Sequence, residues 1–131
     1  MSKVNQNIKS VSIPVSLGEV VDKLTILEIK AEKMSNEKLK NINNEISAIK
    51  NVISKLDFDS NLVSKIKQVN LELWEIEDSI RLKENLKQFD EDFISLARSV
   101  YIKNDLRASL KREINIKYNS DIIEEKSYRK Y

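Results

Sequence analysis

Basic side chains recur at helical spacing in the second half of the chain. Arg98, Tyr101 and Asp105 follow one another at steps of three and four residues, and Arg107 and Lys111 lie four apart. Residues so spaced share one face of an α-helix. Guanidinium and ammonium groups that converge can hold a phosphate or a carboxylate. The alternative interpretation is a solvated helix face whose charges pair with one another.

A second row of polar residues contains the only tryptophan of the chain. Trp74, Asp78 and Arg81 stand at i, i+4 and i+7, beside the apolar positions Leu73 and Ile76. An aromatic ring, a carboxylate and a guanidinium in line beside a core can form one wall of a small-molecule site. The plainer interpretation is a half-buried tryptophan covered by a surface ion pair.

Carboxylates at helical spacing suggest a magnesium site as a further alternative. Glu72, Glu75 and Asp78, with Glu28 and Glu32, could supply oxygen ligands for Mg²⁺. Helical nucleotide pyrophosphohydrolases use paired Glu-x-x-Glu and Glu-x-x-Asp motifs in this way. The chain has the Glu75-x-x-Asp78 motif but lacks a preceding Glu-x-x-Glu at suitable spacing. A Mg²⁺-dependent hydrolase is therefore the least favoured alternative, and we otherwise expect no cofactor.

The residue types that are absent narrow the chemistry. The chain has neither Cys nor His, which excludes disulfides, thiol nucleophiles, imidazole bases and Cys/His metal sites. A glycine-rich phosphate loop is excluded because there is a single glycine. With 23 basic and 21 acidic side chains the net charge is +2, which is too balanced to predict binding to nucleic acid or to an anionic membrane.

Length and composition favour one helical domain. The 131 residues are 40% hydrophobic and 34% charged, with one Gly and one Pro, which is typical of long helices. The first ten residues are polar, and no apolar run could span a bilayer. Since the chain also lacks Cys, we expect a cytoplasmic protein. We expect a flexible N-terminus at residues 1–10 and a single helical domain at 11–131.

Three apolar ladders with steps of three and four residues predict helices that pack along one face. The ladders are Leu17, Val20, Leu24, Leu27, Ala31 and Met34; Leu39, Ile42, Ile46, Ile49, Ile53 and Leu56; and Leu62, Ile66, Val69, Leu73, Ile76 and Ile80. They predict helices at about 17–34, 37–56 and 61–88. The expected fold is an all-α, coiled-coil-like bundle of an antiparallel helical hairpin, a long third helix and a broken fourth helix.

Several residues predict where the helices begin and end. Ser16 and Glu19 have the spacing of a capping box, and Asp90 can cap the fourth helix. We expect Asn104-Asp105 to interrupt that helix, so that a separate helix follows at 106–117. Asn119 is a plausible left-handed stop, and a short terminal helix is expected through residues 122 and 123.

Five sequence blocks resemble a family of small bacterial or phage proteins that is known only as a domain of unknown function. The blocks are IPVSLGEVVDKLTILEIK, LWEIEDSIR, FISLARSVY, NDLRASLKREIN and EEKSY. The resemblance implies an all-helical protein but no activity, cofactor or substrate. It places within these blocks the ten residues that we expect to bind a ligand: Lys23, Glu28, Trp74, Asp78, Arg81, Arg98, Tyr101, Asp105, Arg107 and Lys111.

The leading functional hypothesis is a site for a small anionic ligand between the first helix and the 74–81 and 98–111 stretches. Arg81, Arg98, Arg107 and Lys111 would hold a phosphate or carboxylate, Trp74 and Tyr101 would wall the pocket, and Asp78 or Glu28 would orient the cations or act as a base. Whether catalysis follows is open at this stage. The main alternative is a non-catalytic adaptor that binds a protein through the same surface, and self-association as a homodimer is expected from an overhanging third helix.

Overall fold

The computed structural model describes residues 7–131, and within them the chain forms four α-helices and no strand. α1 spans Leu17–Lys33, α2 spans Asn36–Ile53, α3 spans Ser60–Asn85 and α4 spans Glu91–Lys117. The predicted all-α architecture is confirmed. None of the helices in this part of the chain is long and apolar enough to cross a membrane. Most of the predicted flexible N-terminus, residues 1–6, lies outside the described residues.

α1, α3 and α4 pack together as a three-helix bundle, whereas α2 lies against α1 alone. The ion pair of Glu72 with Lys103, at 2.7 Å, joins the middles of α3 and α4, which run antiparallel. Gly18 of α1 contacts Asn115 of α4, and Asp22, one turn further along α1, contacts Arg107, so that α1 is also antiparallel to α4. The residues that line the centre of the bundle therefore come from three helices.

The core of the bundle joins the predicted third ladder to residues of α1 and α4. Its buried members are Val21, Leu62, Ile66, Val69, Leu110 and Ile114. Of the first predicted ladder only Leu27 is fully buried, and its other members are half-buried. The other buried residues of α1 are Gly18, Val21, Asp22, Thr25 and Ile29. This stripe contains a carboxylate and a hydroxyl that find partners on the neighbouring helices, so hydrophobic periodicity alone does not reveal it.

The helix ends confirm part of the capping prediction. The Glu19 amide donates to Ser16 Oγ at 3.1 Å, and the Phe93 amide donates to Asp90 Oδ1 at 3.0 Å. The Glu19 carboxylate instead pairs with Lys111, at 2.5 Å. Asn119 has φ 54°, as expected of a left-handed stop.

Two predictions for the C-terminal region are wrong. α4 is continuous through Asn104 and Asp105, because neither side chain caps the backbone and the packing against α3 holds the helix. Residues 120–131 form no helix. After Asn119 the chain turns back along α4, and Glu124 and Glu125 pair with Lys111 and Arg112 there.

Gly18 permits a close approach between α1 and α4. Its amide donates to Asn115 Oδ1 at 2.6 Å. A Cβ atom at this position would stand 3.0 Å from that same oxygen and would overlap the backbone carbonyl oxygen of Lys111. Because helix backbone cannot shift as a flexible side chain would, the contact requires glycine.

We predict that Gly18→Ala destabilises the protein by about 1–3 kcal/mol, the usual cost of forcing extra atoms into a packed interior. At an ordinary helix position the same change stabilises by up to about 1 kcal/mol, so the sign of the effect is decisive. Urea unfolding measures it, with Ser64→Ala on the exposed side of α3 as control. Equal or greater stability of the Gly18 variant would contradict this account.

Candidate functional site

The centre of the candidate site is a buried carboxylate on α1. The Asp22 side chain is 1% exposed and accepts hydrogen bonds from two other helices. Arg107 of α4 donates from Nε to Oδ1 at 2.9 Å and from Nη2 to Oδ2 at 2.5 Å. Asn70 of α3 donates to Oδ1 at 2.8 Å. The carboxylate therefore holds the guanidinium in a two-point arrangement and joins all three helices of the bundle.

Thr25 and Asn70 complete the hydrogen bonding around this carboxylate. The Asn70 amide also donates to Thr25 Oγ1 at 3.0 Å, and that hydroxyl donates to the Asp22 carbonyl oxygen at 2.8 Å. Within residues 7–131 no buried side-chain nitrogen or oxygen is without a partner. Since the network is fully satisfied, it fixes the orientation of the carboxylate and, through it, the position of the guanidinium.

Arg107 is only partly covered, with 29% of its side chain exposed. The hydrogen bond to Asp22 raises its pKa, against the opposing effect of burial. Two of its five N–H groups are used by Asp22, and Nη1 makes one long contact of 3.5 Å with Asn104 Oδ1. The outer edge of the guanidinium thus keeps donors for a further partner.

A groove of about 490 Å³ opens beside this guanidinium, between α1, α3 and α4. Its lining includes Ile26 of α1, Asn70, Leu73, Trp74, Asp78 and Arg81 of α3, and Asn104 and Arg107 of α4. The volume is typical of sites for small molecules. The lining combines apolar and aromatic residues with charged groups from α3 and α4.

The charges of the groove are nearly balanced. Arg81 pairs with Glu77 at 3.3 Å, and this pair is exposed. With Asp22, Asp78 and Arg107 the set has three carboxylates and two guanidiniums. Asp78 makes no ion pair with any other part of the described chain. Lys33 Nζ, although it does not line the groove, lies 5.7 Å from the centre of the Trp74 ring.

Four of the ten expected ligand-binding residues meet in this groove: Trp74, Asp78, Arg81 and Arg107. The other six lie elsewhere. Lys23 pairs with Glu45 of α2 at 3.0 Å, and Glu28 is half-buried on α1 without lining the groove. Arg98, Tyr101 and Asp105 are exposed on the side of α4 that faces away from α3.

Lys111, the tenth residue, belongs to a polar cluster at the start of α1. Its ammonium lies 2.5 Å from Glu19 and 3.3 Å from Glu124, and Glu124 also accepts a hydrogen bond from the Ser16 hydroxyl. Burial lowers the pKa of Lys111, but the hydrogen bond and charge of Glu19, with the charges of Asp22 and Glu124, outweigh it and raise the pKa. The cluster ties the C-terminal tail to the cap of α1.

A second groove, of about 690 Å³, lies between the outer side of α4 and the tail. Tyr101 and Asp105 line it from α4, and Tyr128, Arg129 and Tyr131 line it from the tail. Although it is larger, its tail wall is exposed, with Tyr128 and Tyr131 at 77% and 78%. The groove beside Trp74 is the better candidate because a buried network holds its guanidinium in place.

The carboxylates proposed as magnesium ligands do not come together. Glu72 pairs with Lys103 of α4, which lowers the pKa of that carboxyl, and Glu32 lies 3.5 Å from Lys67. Within residues 7–131 no three acidic side chains form a group that could hold a metal ion. The geometry therefore gives no support to the magnesium alternative.

The comparison with known families gives one match. The chain belongs to a protein family that is described as a family of unknown function (DUF6165), whose model matches residues 11–131. The family membership expected from the sequence is thereby confirmed, and it assigns no activity. No curated protein and no solved structure matches the chain.

The residues that hold the guanidinium were not among those expected from the sequence. Asp22, Thr25 and Asn70 are absent from the expected set, although Asp22 and Thr25 lie within the first of the five blocks. One signal could have found Asp22: with Gly18, Thr25 and Ile29 it forms a stripe at steps of three and four residues. A carboxylate on a stripe that is otherwise small or apolar indicates a buried pair.

We predict that Asp22→Ala costs about 3–5 kcal/mol of unfolding free energy, because it leaves the Arg107 guanidinium partly buried without its partner. Glu77→Ala removes the exposed partner of Arg81 and is the matched control, with an expected loss below about 1 kcal/mol. Chemical unfolding compares the two. Similar losses for both variants would show that the buried pair does not hold the bundle together.

Stability should also depend on Glu124 in a defined pH range. The Ser16 hydroxyl and then the Lys111 charge lower the pKa of Glu124 below its ordinary 4.5. A carboxyl with a lowered pKa stabilises the fold above pH 4.5, and the contribution is lost as the pH falls through the lowered value.

We therefore expect Glu124→Gln to be less stable than the wild type at neutral pH and to approach it in acid. Thermal unfolding from neutral pH to pH 3 measures the difference, with Glu125→Gln as the control for loss of an exposed tail carboxylate. A difference that grows on acidification would contradict the assigned hydrogen bond.

Proposed function

We propose that the groove between α1, α3 and α4 binds a small ligand that carries a phosphate or carboxylate group. The observation that carries the proposal is the position of Arg107. Its guanidinium is held by a buried carboxylate, and its outer edge borders the groove beside Trp74. Because the network has already fixed the side chain, binding an anion there costs little rotamer entropy.

Arg81 of α3 supplies a second cation to the lining of the same groove. Its side chain is 79% exposed, and its only ion pair within the described chain is the one with Glu77. An exposed pair of this kind is weak, so the guanidinium can exchange Glu77 for a ligand anion at small cost. The groove therefore offers one fixed and one adjustable arginine to an anionic ligand.

Trp74 and Asp78 favour a ligand that has other binding groups in addition to its anionic group. The tryptophan is half-buried and offers a flat apolar surface in the groove. The unpaired carboxylate of Asp78 would repel a purely anionic molecule, but it can accept a hydrogen bond from a hydroxyl or an ammonium group. The ligand that fits has an anionic end, an apolar or planar part, and a hydrogen-bond donor.

A non-catalytic adaptor role is the second candidate. It is favoured by exposed apolar side chains outside the groove, among them Ile94, Ile102 and Leu106 of α4 and Leu86 and Phe89 at the tip of the bundle. Such surface apolar groups are typical of protein contacts. A homodimer is likewise a proposal, and a cytoplasmic location stays a prediction.

Intrinsic fluorescence tests the ligand proposal, because Trp74 is the only tryptophan and lies in the groove. We expect AMP or UMP, each of which has a phosphate, a planar base and hydroxyl groups, to change its emission in a saturable way, and sodium chloride at equal ionic strength to leave it unchanged. Arg81→Gln should weaken such binding about tenfold or more, as expected for the loss of one charge-assisted contact.

The matched control for that experiment is Arg129→Gln, which removes an exposed arginine from the other groove. It should bind as the wild type does. The ligand proposal fails if neither nucleotide shifts the emission, or if Arg81→Gln and Arg129→Gln have the same effect.

A further inference from the structure

The side of α4 that faces away from α3 is unusually apolar for a solvent-exposed helix face. Ile94, Tyr101 and Ile102 are 48%, 40% and 43% exposed there. Arg98 and Asp105 are exposed on the same face. Arg98 and Asp105 are seven residues apart, which is close to two helical turns. The two charged side chains therefore project from nearly the same side of the helix, near the middle of this face.

The charges on this face are arranged symmetrically about the point between Tyr101 and Ile102. Arg98 and Asp105 lie about 5 Å before and after that point along the helix axis. Glu91 and Arg112 lie about 16 Å before and after it. Each of these four charged side chains therefore has an oppositely charged counterpart at the same distance beyond the midpoint between Tyr101 and Ile102.

We propose that this face pairs with the same face of a second copy, with the two α4 helices antiparallel about a two-fold axis between Tyr101 and Ile102. Arg98 then meets the partner's Asp105, and Asp105 meets the partner's Arg98. Tyr101 packs on the partner's Ile102 close to the axis. The outer charges, Glu91 and the partner's Arg112, meet at both ends of the contact.

The face is complementary in charge to a second copy of itself. A second copy of this chain is therefore the partner that fits it. A two-fold interface brings one surface onto itself, so every position must suit its own symmetry mate. An unrelated partner places no such requirement on the spacing of Arg98 and Asp105. The inner pair is expected to contribute most, because Arg112 already has a partner in Glu125 at 3.1 Å.

The C-terminal tail lies against part of this face, and with the tail in place Tyr101 and Ile102 are still 40% and 43% exposed. The Tyr131 ring lies 4.9 Å from the Tyr101 ring. Its hydroxyl is hydrogen-bonded to Asp105, which raises the pKa of the phenol. The second oxygen of the Asp105 carboxylate remains able to accept from a guanidinium. None of the residues that this pairing brings together lines the groove beside Trp74.

Sedimentation equilibrium over a wide concentration range tests the proposal. We expect the wild-type mass to rise from 15.2 kDa towards twice that value. Arg98→Asp places like charges opposite each other and should raise the dimer dissociation constant at least about tenfold. Combining it with Asp105→Arg exchanges the two charges and should restore the wild-type constant. Lys65→Asp, on exposed α3 surface, is the control for charge reversal alone.

Ile102→Lys provides a second variant that introduces a charge close to the axis, and circular dichroism confirms that each variant remains helical. The Ile102→Lys variant should be monomeric at the concentrations at which the wild type is dimeric. A wild type that stays at 15.2 kDa at the highest concentration overturns the proposal. So does a dimer that Arg98→Asp or Ile102→Lys leaves intact, or a double charge exchange that is as monomeric as Arg98→Asp alone.

Discussion

The carboxylate of Asp22, buried where α1, α3 and α4 meet, is paired with Arg107, and the arrangement of the bundle depends on that pair. Removing a carboxylate from water is costly, and the cost is offset here by hydrogen bonds from a guanidinium and an amide. A shifted register of α1 against α4 would leave both charges unpartnered. The pair therefore specifies how the helices align, beyond what apolar packing alone requires.

The same pair links the fold to the proposed function. A surface arginine samples many rotamers, whereas Arg107 is fixed by Asp22 and presents only its outer edge to the groove. The residues that hold the helices together thus also prepare a donor for a ligand. α4 uses its two sides differently: the inner side forms the core and the groove, and the outer side has a self-complementary charge pattern.

Sequence reasoning succeeded where hydrophobic spacing and capping act locally. The buried part of α3, from Leu62 to Val69, and the caps at Ser16 and Asp90 are of this kind. It failed where the burial or conformation of a residue depends on a partner that is distant in the sequence. Asp22 is buried only because Arg107 and Asn70 reach it, and the tail is extended because side chains of α4 bind it. Packing likewise overrides the helix-breaking tendency of Asn104.

A double-mutant cycle on Asp22 and Arg107 tests the central claim most directly. The unfolding free energies of the wild type, the two alanine variants and the double variant give the coupling energy of the pair. We predict a coupling of about 2 kcal/mol or more, since each side chain satisfies the other in a partly buried place. Additivity within about 0.5 kcal/mol would show that the two side chains do not depend on each other, and would contradict the account.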